Sequence, residues 1–286
     1  MLFRSPAVLL AHAAGVTETI RLGSGGVMLP NHASLVVAEQ FGMLEALHPG
    51  RIDLGIGRAP GTDQVTAVAL RRSRAAVIAD DFPEQLMELM GYFSGEWPED
   101  HPFRAVTAVP GLGHRPALWL LGSSDYSARA AGLLGLPFSF AHHFAAGNTL
   151  PALAAYRAAF RPSDELAAPH VMLGVSVVCA ETDERARWLA DSGALAFVRR
   201  RSGRPGRFPS PEEAAEYSFT PAEKELLRTW EATTVIGGPD AVHRQLDELV
   251  AETGADELIV TTMVHDPDDR LRSYALVAGA DVDSPV

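Results

Sequence analysis

Between residues 20 and 264, short apolar runs of strand character alternate with amphipathic stretches of helical period, and this alternation constrains the fold more than any other feature. The strand-like runs are IRLGSGGVML (20–29), RIDLGIG (51–57), ALWLLG (117–122), PFSFAHHF (137–144), HVMLGVSVVC (170–179) and ELIVTTMV (257–264). The helical runs are ASLVVAEQFGMLEALH (33–48), FPEQLMELMGYF (82–93), YSARAAGLLG (126–135), LPALAAYRAAF (150–160), DERARWLADSGALAFV (183–198) and PDAVHRQLDELVAETG (239–254). Strands separated by helices pair in parallel, so the chain is α/β: either a closed TIM (β/α)8 barrel or an open doubly wound sheet.

The glycines favour the barrel. GSGG lies inside the first strand and GIGRAPG lacks the third glycine at its proper spacing, so neither is the phosphate turn of a dinucleotide-binding sheet. A barrel read from six strands, in a chain that opens with an amphipathic helix, is expected to lack its first two strands. A strand-helix-strand unit of about 50 residues would then precede Met1. The apolar run from Pro6 to Ala11 is shorter than a signal-peptide core.

Composition narrows the partners. A net charge of −12 argues against nucleic acid, and no stretch approaches the about 18 apolar residues of a membrane span, so a cytoplasmic protein is expected. Cys179 is the single cysteine, which excludes an intrachain disulfide and a multi-cysteine metal centre and reads as a buried, inert thiol. No carboxylate and histidine pair shows a ligand spacing, so no metal is expected.

The most informative stretch is GRIDLGIGRAPGTD, residues 50–63. Ile52, Leu54 and Ile56 share one strand face, while Asp53, Gly55 and Gly57 share the other and Arg58 follows the strand end. Bare glycines on an inward face leave the room that a flat ring needs. The first strand repeats the pattern with Gly23 and Gly25, followed by Gly26. Arg58 offers a planar fork suited to phosphate. In LLGSSDYSARAAG, Gly122 ends a strand and Ser123, Ser124 and Ser127 surround a helix start, where hydroxyls, backbone N–H groups and the helix dipole favour an anion. Together these predict a phosphate-bearing aromatic cofactor.

GSGGVMLPNHASLVVAEQFGMLEALHPGRIDLGIGRAPGTDQ resembles the core signature of the bacterial-luciferase-like, flavin-dependent monooxygenases, and GSSDYSARAAGLLGLPFSFAHHF and TGADELIVTTMVHDPDDRLRSY resemble their matching segments. The resemblance implies one TIM-barrel domain over residues 1–286 that uses reduced FMN and O2 to oxidise a small organic substrate, with a separate reductase supplying the flavin. It places Gly25 and Gly26 at a non-proline cis peptide beneath the flavin ring, Arg58 on the phosphate, and Ser123, Ser124 and Ser127 in the phosphate-binding turn. Gly57 stands where the luciferases proper carry a reactive cysteine. The family's AEHH-like segment, with its catalytic histidine, has no counterpart here, so the catalytic residues are unassigned.

His142 and His143, at the end of PFSFAHHF, are the candidates to touch cofactor or substrate; on a strand they point to opposite faces, so only one can face the flavin. His32 reads as a cap or surface residue. Residues 199–220 begin with five Arg in nine positions and form either a solvated loop or a lid over the mouth. Two rivals stand beside the monooxygenase: a deazaflavin-dependent hydride-transfer enzyme on the same fold, and a non-catalytic flavin-binding subunit. An exposed apolar strip on the helix 33–48 would indicate a homodimer.

Overall fold

The computed structural model describes residues 5–59, 61, 63–71 and 81–280, and they fall into two compact units. The first comprises the described residues of Met1–Gly122, Tyr126–Phe138 and Ala159–Pro169; the second comprises those of Ser123–Asp125, Ser139–Ala158 and His170–Val286.

In the first unit the strands β1 (Leu22–Gly23), β2 (Val27–Met28), β3 (Ile52–Gly57) and β4 (Ala117–Gly122) are parallel, with β3 at the centre. Ile52, Leu54 and Ile56 are fully buried, and the helices Ser34–Leu47 and Phe82–Ser94 bury Val37, Phe41 and Leu44, and Leu86, Leu89 and Phe93. A side chain the size of Phe41 gains about 2–3 kcal/mol from such burial. The helix Phe82–Ser94 starts on Pro83 and stops at Gly95, whose φ of 76° is the left-handed cap that a glycine accepts without a Cβ clash.

The run read as one strand over 20–29 is two short ones. Gly23 pairs with Asp53 and Val27 with Ile56, so three residues of the first strand stand opposite two of β3. The extra residue is a bulge at Ser24–Gly26. Ser24 seals it: its backbone N–H donates to the Asp53 carbonyl at 3.1 Å and its hydroxyl to the Gly55 carbonyl at 2.9 Å.

The short strand β5 (Phe138–Phe140) follows, and the run read to residue 144 ends there, because His142–Ala145 is a helical turn. In the second unit β6 (Val171–Cys179) pairs in parallel with β7 (Thr234–Gly237) through its upper half and with β8 (Glu257–Thr261) through its lower half. The helix Asp183–Arg201 buries Ala186, Leu189, Ala190, Leu195 and Val198. The strand β7 and the helices Gln64–Arg71, Pro211–Ala215, Pro221–Glu231 and Pro267–Val277 were not read from periodicity, for they are short or mostly polar. Two left a signal nonetheless. Thr220 and Glu223 form a capping box, and Asp266 accepts from the N–H groups of Asp268 and Asp269.

Residues 199–220 are tied within this unit rather than loose: Arg199 pairs with Glu213 at 2.7 Å, Arg204 with Glu223 at 2.9 Å, and the Tyr217 hydroxyl donates to the same Glu223 carboxylate at 2.9 Å.

A Cβ on Gly55 would strike the Ser24 carbonyl and the Leu121 side chain. Gly55→Ala is therefore expected to destabilise the protein by about 3 kcal/mol, the upper range for overpacking, measured by urea denaturation.

Candidate functional site

The first unit carries the glycine face. The Gly25–Gly26 peptide is cis, at the position the resemblance implied. Not every glycine on this face leaves space. A Cβ on Gly26 would lie 2.7 Å from the Gly55 carbonyl oxygen, and one on Gly23 would lie 2.9 Å from the Asp53 Cβ. Those glycines, with Gly55, allow backbones to touch, which corrects the expectation that Gly23 and Gly55 open a slot. Gly25 and Gly57 differ: a Cβ on either meets no atom within 4 Å. They are the open positions among the five glycines of this face.

Arg58 follows Gly57 directly, half-buried, with its guanidinium carbon 4.2 Å from the centre of the Tyr126 ring. This cation–π contact fixes the plane of the fork. Sequence reasoning missed Tyr126, since nothing in a pattern of residue types tells which ring a distant arginine meets. Tyr126 sits in the first turn of the helix Asp125–Leu133, and Ser127 beside it is buried against the end of β4. A Cβ on Gly122 would lie 2.6 Å from the Ser127 hydroxyl, so the absent side chain makes room for the serine. Ser123 is exposed and Ser124 half-buried, both immediately before the helix start. Asn148 Nδ2 donates to the Ser123 carbonyl and to the Asp125 carboxylate, each at 3.3 Å. The Asp125 carboxylate thus lies in the same helical turn, and its charge opposes any anion bound there.

The second unit holds both histidines. They sit on a helical turn, so the opposite-face argument for a strand does not apply. His143 Nδ1 is 2.7 Å from the Gly174 carbonyl oxygen. A carbonyl only accepts, so the neutral ring carries its proton on Nδ1 and leaves Nε2 as a bare acceptor. Burial holds the His143 pKa below the ordinary histidine value, partly offset by the Gly174 carbonyl. His142 Nδ1 lies 2.8 Å from the Thr149 hydroxyl; burial and then the neighbouring His143 lower its pKa, while Glu252 opposes them. His32 follows β2 and its backbone N–H donates to the Leu29 carbonyl at 2.9 Å, with burial lowering its pKa. Cys179 is buried, and burial followed by the charge of Glu181 pushes its thiol up to about 11, which makes it a poor nucleophile. Among the described residues no group of three or more His, Cys, Asp or Glu is placed to hold a metal, and no helix is long and apolar enough to cross a membrane.

The chain belongs to the luciferase-like monooxygenase family, whose model it matches over residues 1–257, and it is accordingly an oxidoreductase. It is 49% identical over 272 residues to the uncharacterized protein YvbT of Bacillus subtilis (strain 168), covering 95% of this chain and 80% of that protein. It is 43% identical over 269 residues to a luciferase-like monooxygenase of Escherichia coli (strain K12), covering 94% of this chain and 79% of that one. The crystal structure of apo-MsnO8 superposes with a TM-score of 0.85 at 40% identity, covering 96% of this chain and 80% of that one.

More distant structures share the TIM-barrel fold. The oxygenating constituent of 3,6-diketocamphane monooxygenase from Pseudomonas putida, solved with FMN, has a TM-score of 0.66 at 22% identity over 95% of this chain and 81% of that one. A coenzyme F420-dependent tetrahydromethanopterin reductase from Methanopyrus kandleri has 0.62 at 17% over 95% and 84%.

Three histidines with lowered pKa values, His32, His142 and His143, make folding pH-dependent. Below about 6.5 the unfolded chain binds protons that these native histidines refuse, so stability is full above that pH and falls as the pH drops through it. His143→Asn, whose amide N–H can replace Nδ1–H, is expected to make the fall shallower in urea midpoints measured from pH 8 to pH 5.

Proposed function

We propose that this oxidoreductase is an FMN-dependent monooxygenase that oxidises a small organic substrate with O2. The observation that carries the reading is the pair of open glycines, Gly25 and Gly57, beside Arg58 on a surface where the neighbouring glycines are closed by backbone. Open glycines next to a fixed guanidinium suit a flat ring that ends in a phosphate. In this reading Gly25, Gly26 and Gly57 lie under the ring. Arg58 and Ser127 take the phosphate, and Ser123 and Ser124 extend the same turn. Bound and reduced, FMN would supply the electrons that activate O2. A separate reductase would deliver it, in the cytoplasm, and residues 199–220 would act as the lid that keeps water out. A deazaflavin in the same place would instead exchange hydride and leave O2 untouched.

An FMN titration, oxidised and dithionite-reduced, tests the site. Arg58→Ala is expected to weaken binding by about 1.5–3 kcal/mol, the scale of a charge-assisted hydrogen bond. Gly57→Leu, which meets no atom of the protein at its Cβ, is expected to abolish binding while leaving the thermal midpoint unchanged. Oxygen uptake by the reduced complex then distinguishes FMN from deazaflavin chemistry.

A homodimer belongs to the same proposal. Val36, Met43 and Leu47 are 44%, 47% and 64% exposed and share one face of the helix Ser34–Leu47. Light scattering is expected to give twice the chain mass, and Met43→Arg with Leu47→Arg to return the monomer.

A further inference from the structure

Beyond the glycine face, the second unit holds a cluster of polar atoms that make no hydrogen bond among the described residues. Directly opposed residues of parallel strands point to the same side, as do residues two apart. Gly174 of β6 pairs with Ile259 of β8, and Ser176 pairs with Thr261, so these four positions share one face. His143 joins it from the helical turn, because a Cβ on Gly174 would lie 2.8 Å from its Cε1 and 2.9 Å from its Nδ1. The absent side chain of Gly174 is the notch that seats the imidazole. Its carbonyl holds Nδ1 at 2.7 Å and so aims Nε2 away from the strand.

Three half-buried polar groups therefore gather around one apolar side chain. Among the described residues, neither His143 Nε2 nor the hydroxyls of Ser176 and Thr261 has a hydrogen-bond partner. Ile259 is 50% exposed, more than Leu258 and Val260 on either side of it, and Phe144, whose ring lies 4.0 Å from that of His143, is 68% exposed. An apolar surface with a few convergent polar groups is the composition of a small-molecule site. Charge is lacking at its centre: Glu257, below Ile259 on the same face, is engaged by His170 Nε2 at 2.8 Å.

We propose that this face, formed by His143, Ser176, Ile259 and Thr261, binds a small uncharged organic molecule with an apolar body and an O–H or N–H donor, the donor going to His143 Nε2. The apolar body lies on Ile259 and Phe144, and the two hydroxyls serve a second polar group. Its meaning as a substrate subsite rests on the oxidoreductase reading, whereas the binding itself needs no cofactor. A site built on a bare acceptor rejects an analogue that lacks the donor, because the acceptor is then buried unpaired.

The test uses the full chain without flavin, labelled with 15N-histidine, at pH 7.5. Phenol is the probe, and anisole is the control of nearly the same shape without the donor. The free protein is expected to show His143 protonated on Nδ1 and bare on Nε2. Phenol is expected to shift the Nε2 resonance with a millimolar Kd, the range open to so small a ligand, and anisole to bind about tenfold more weakly. His143→Asn is expected to keep its thermal midpoint and abolish the preference for phenol, and Ile259→Asn to weaken both ligands. A bare Nδ1, equal binding of phenol and anisole, a preference that survives His143→Asn, or no shift at saturating phenol would overturn the proposal. Failure of the FMN titration with phenol binding intact would overturn the cofactor reading and leave this site standing.

Discussion

The approach of the first strand to β3 is the constraint on which the glycine face depends. At Ser24–Gly26 the backbone carries one residue more than its partner, and it fits only because Gly26 and Gly55 bring no side chains to the contact. Ser24 supplies the hydrogen bonds that the interrupted ladder loses, so the bulge leaves no buried carbonyl of Gly55 unpaired. The same bulge turns Gly25 outward to open space. Packing and opening are thus two results of one local geometry, and Gly57 extends the opening to the foot of Arg58.

One unit carries a fixed positive charge and the other neutral polar groups. In the first, a permanent positive charge is held flat against Tyr126 beside a helix start, an environment for an anion. In the second, burial lowers the pKa values of His142 and His143, and the Gly174 carbonyl chooses which nitrogen of the neutral His143 ring stays bare. A neutral imidazole accepts a proton or a hydrogen bond without attracting ions. A flavin phosphate and an uncharged organic molecule would be recognised by these two environments respectively.

How much was legible depended on how far apart the contacting residues lie. The helices Ser34–Leu47 and Phe82–Ser94 were placed to within a residue or so, since both are long, apolar runs with buried residues recurring every three or four positions. The helices Pro221–Glu231 and Pro267–Val277 were missed because charged residues dominate them and the one buried residue of each, Glu223 and Ser273, is polar. In PFSFAHHF the apolar run passes through the end of β5 into a helical turn without any residue that marks the change.

Residue types determined the parallel α/β class, the glycine-lined strand ending in Arg58, the serine turn and the family. They did so because each is a matter of local spacing and of which side chains are absent. Tertiary structure decided which glycines are closed by backbone and which stay open, for an absent side chain looks the same in sequence whether a carbonyl or empty space lies beyond it. It also decided that Tyr126 meets Arg58, that Asn148 holds the serine turn, and that Gly174 fixes the bare nitrogen of His143. These are contacts between segments far apart in the chain, set by the register of the strands that bring them together.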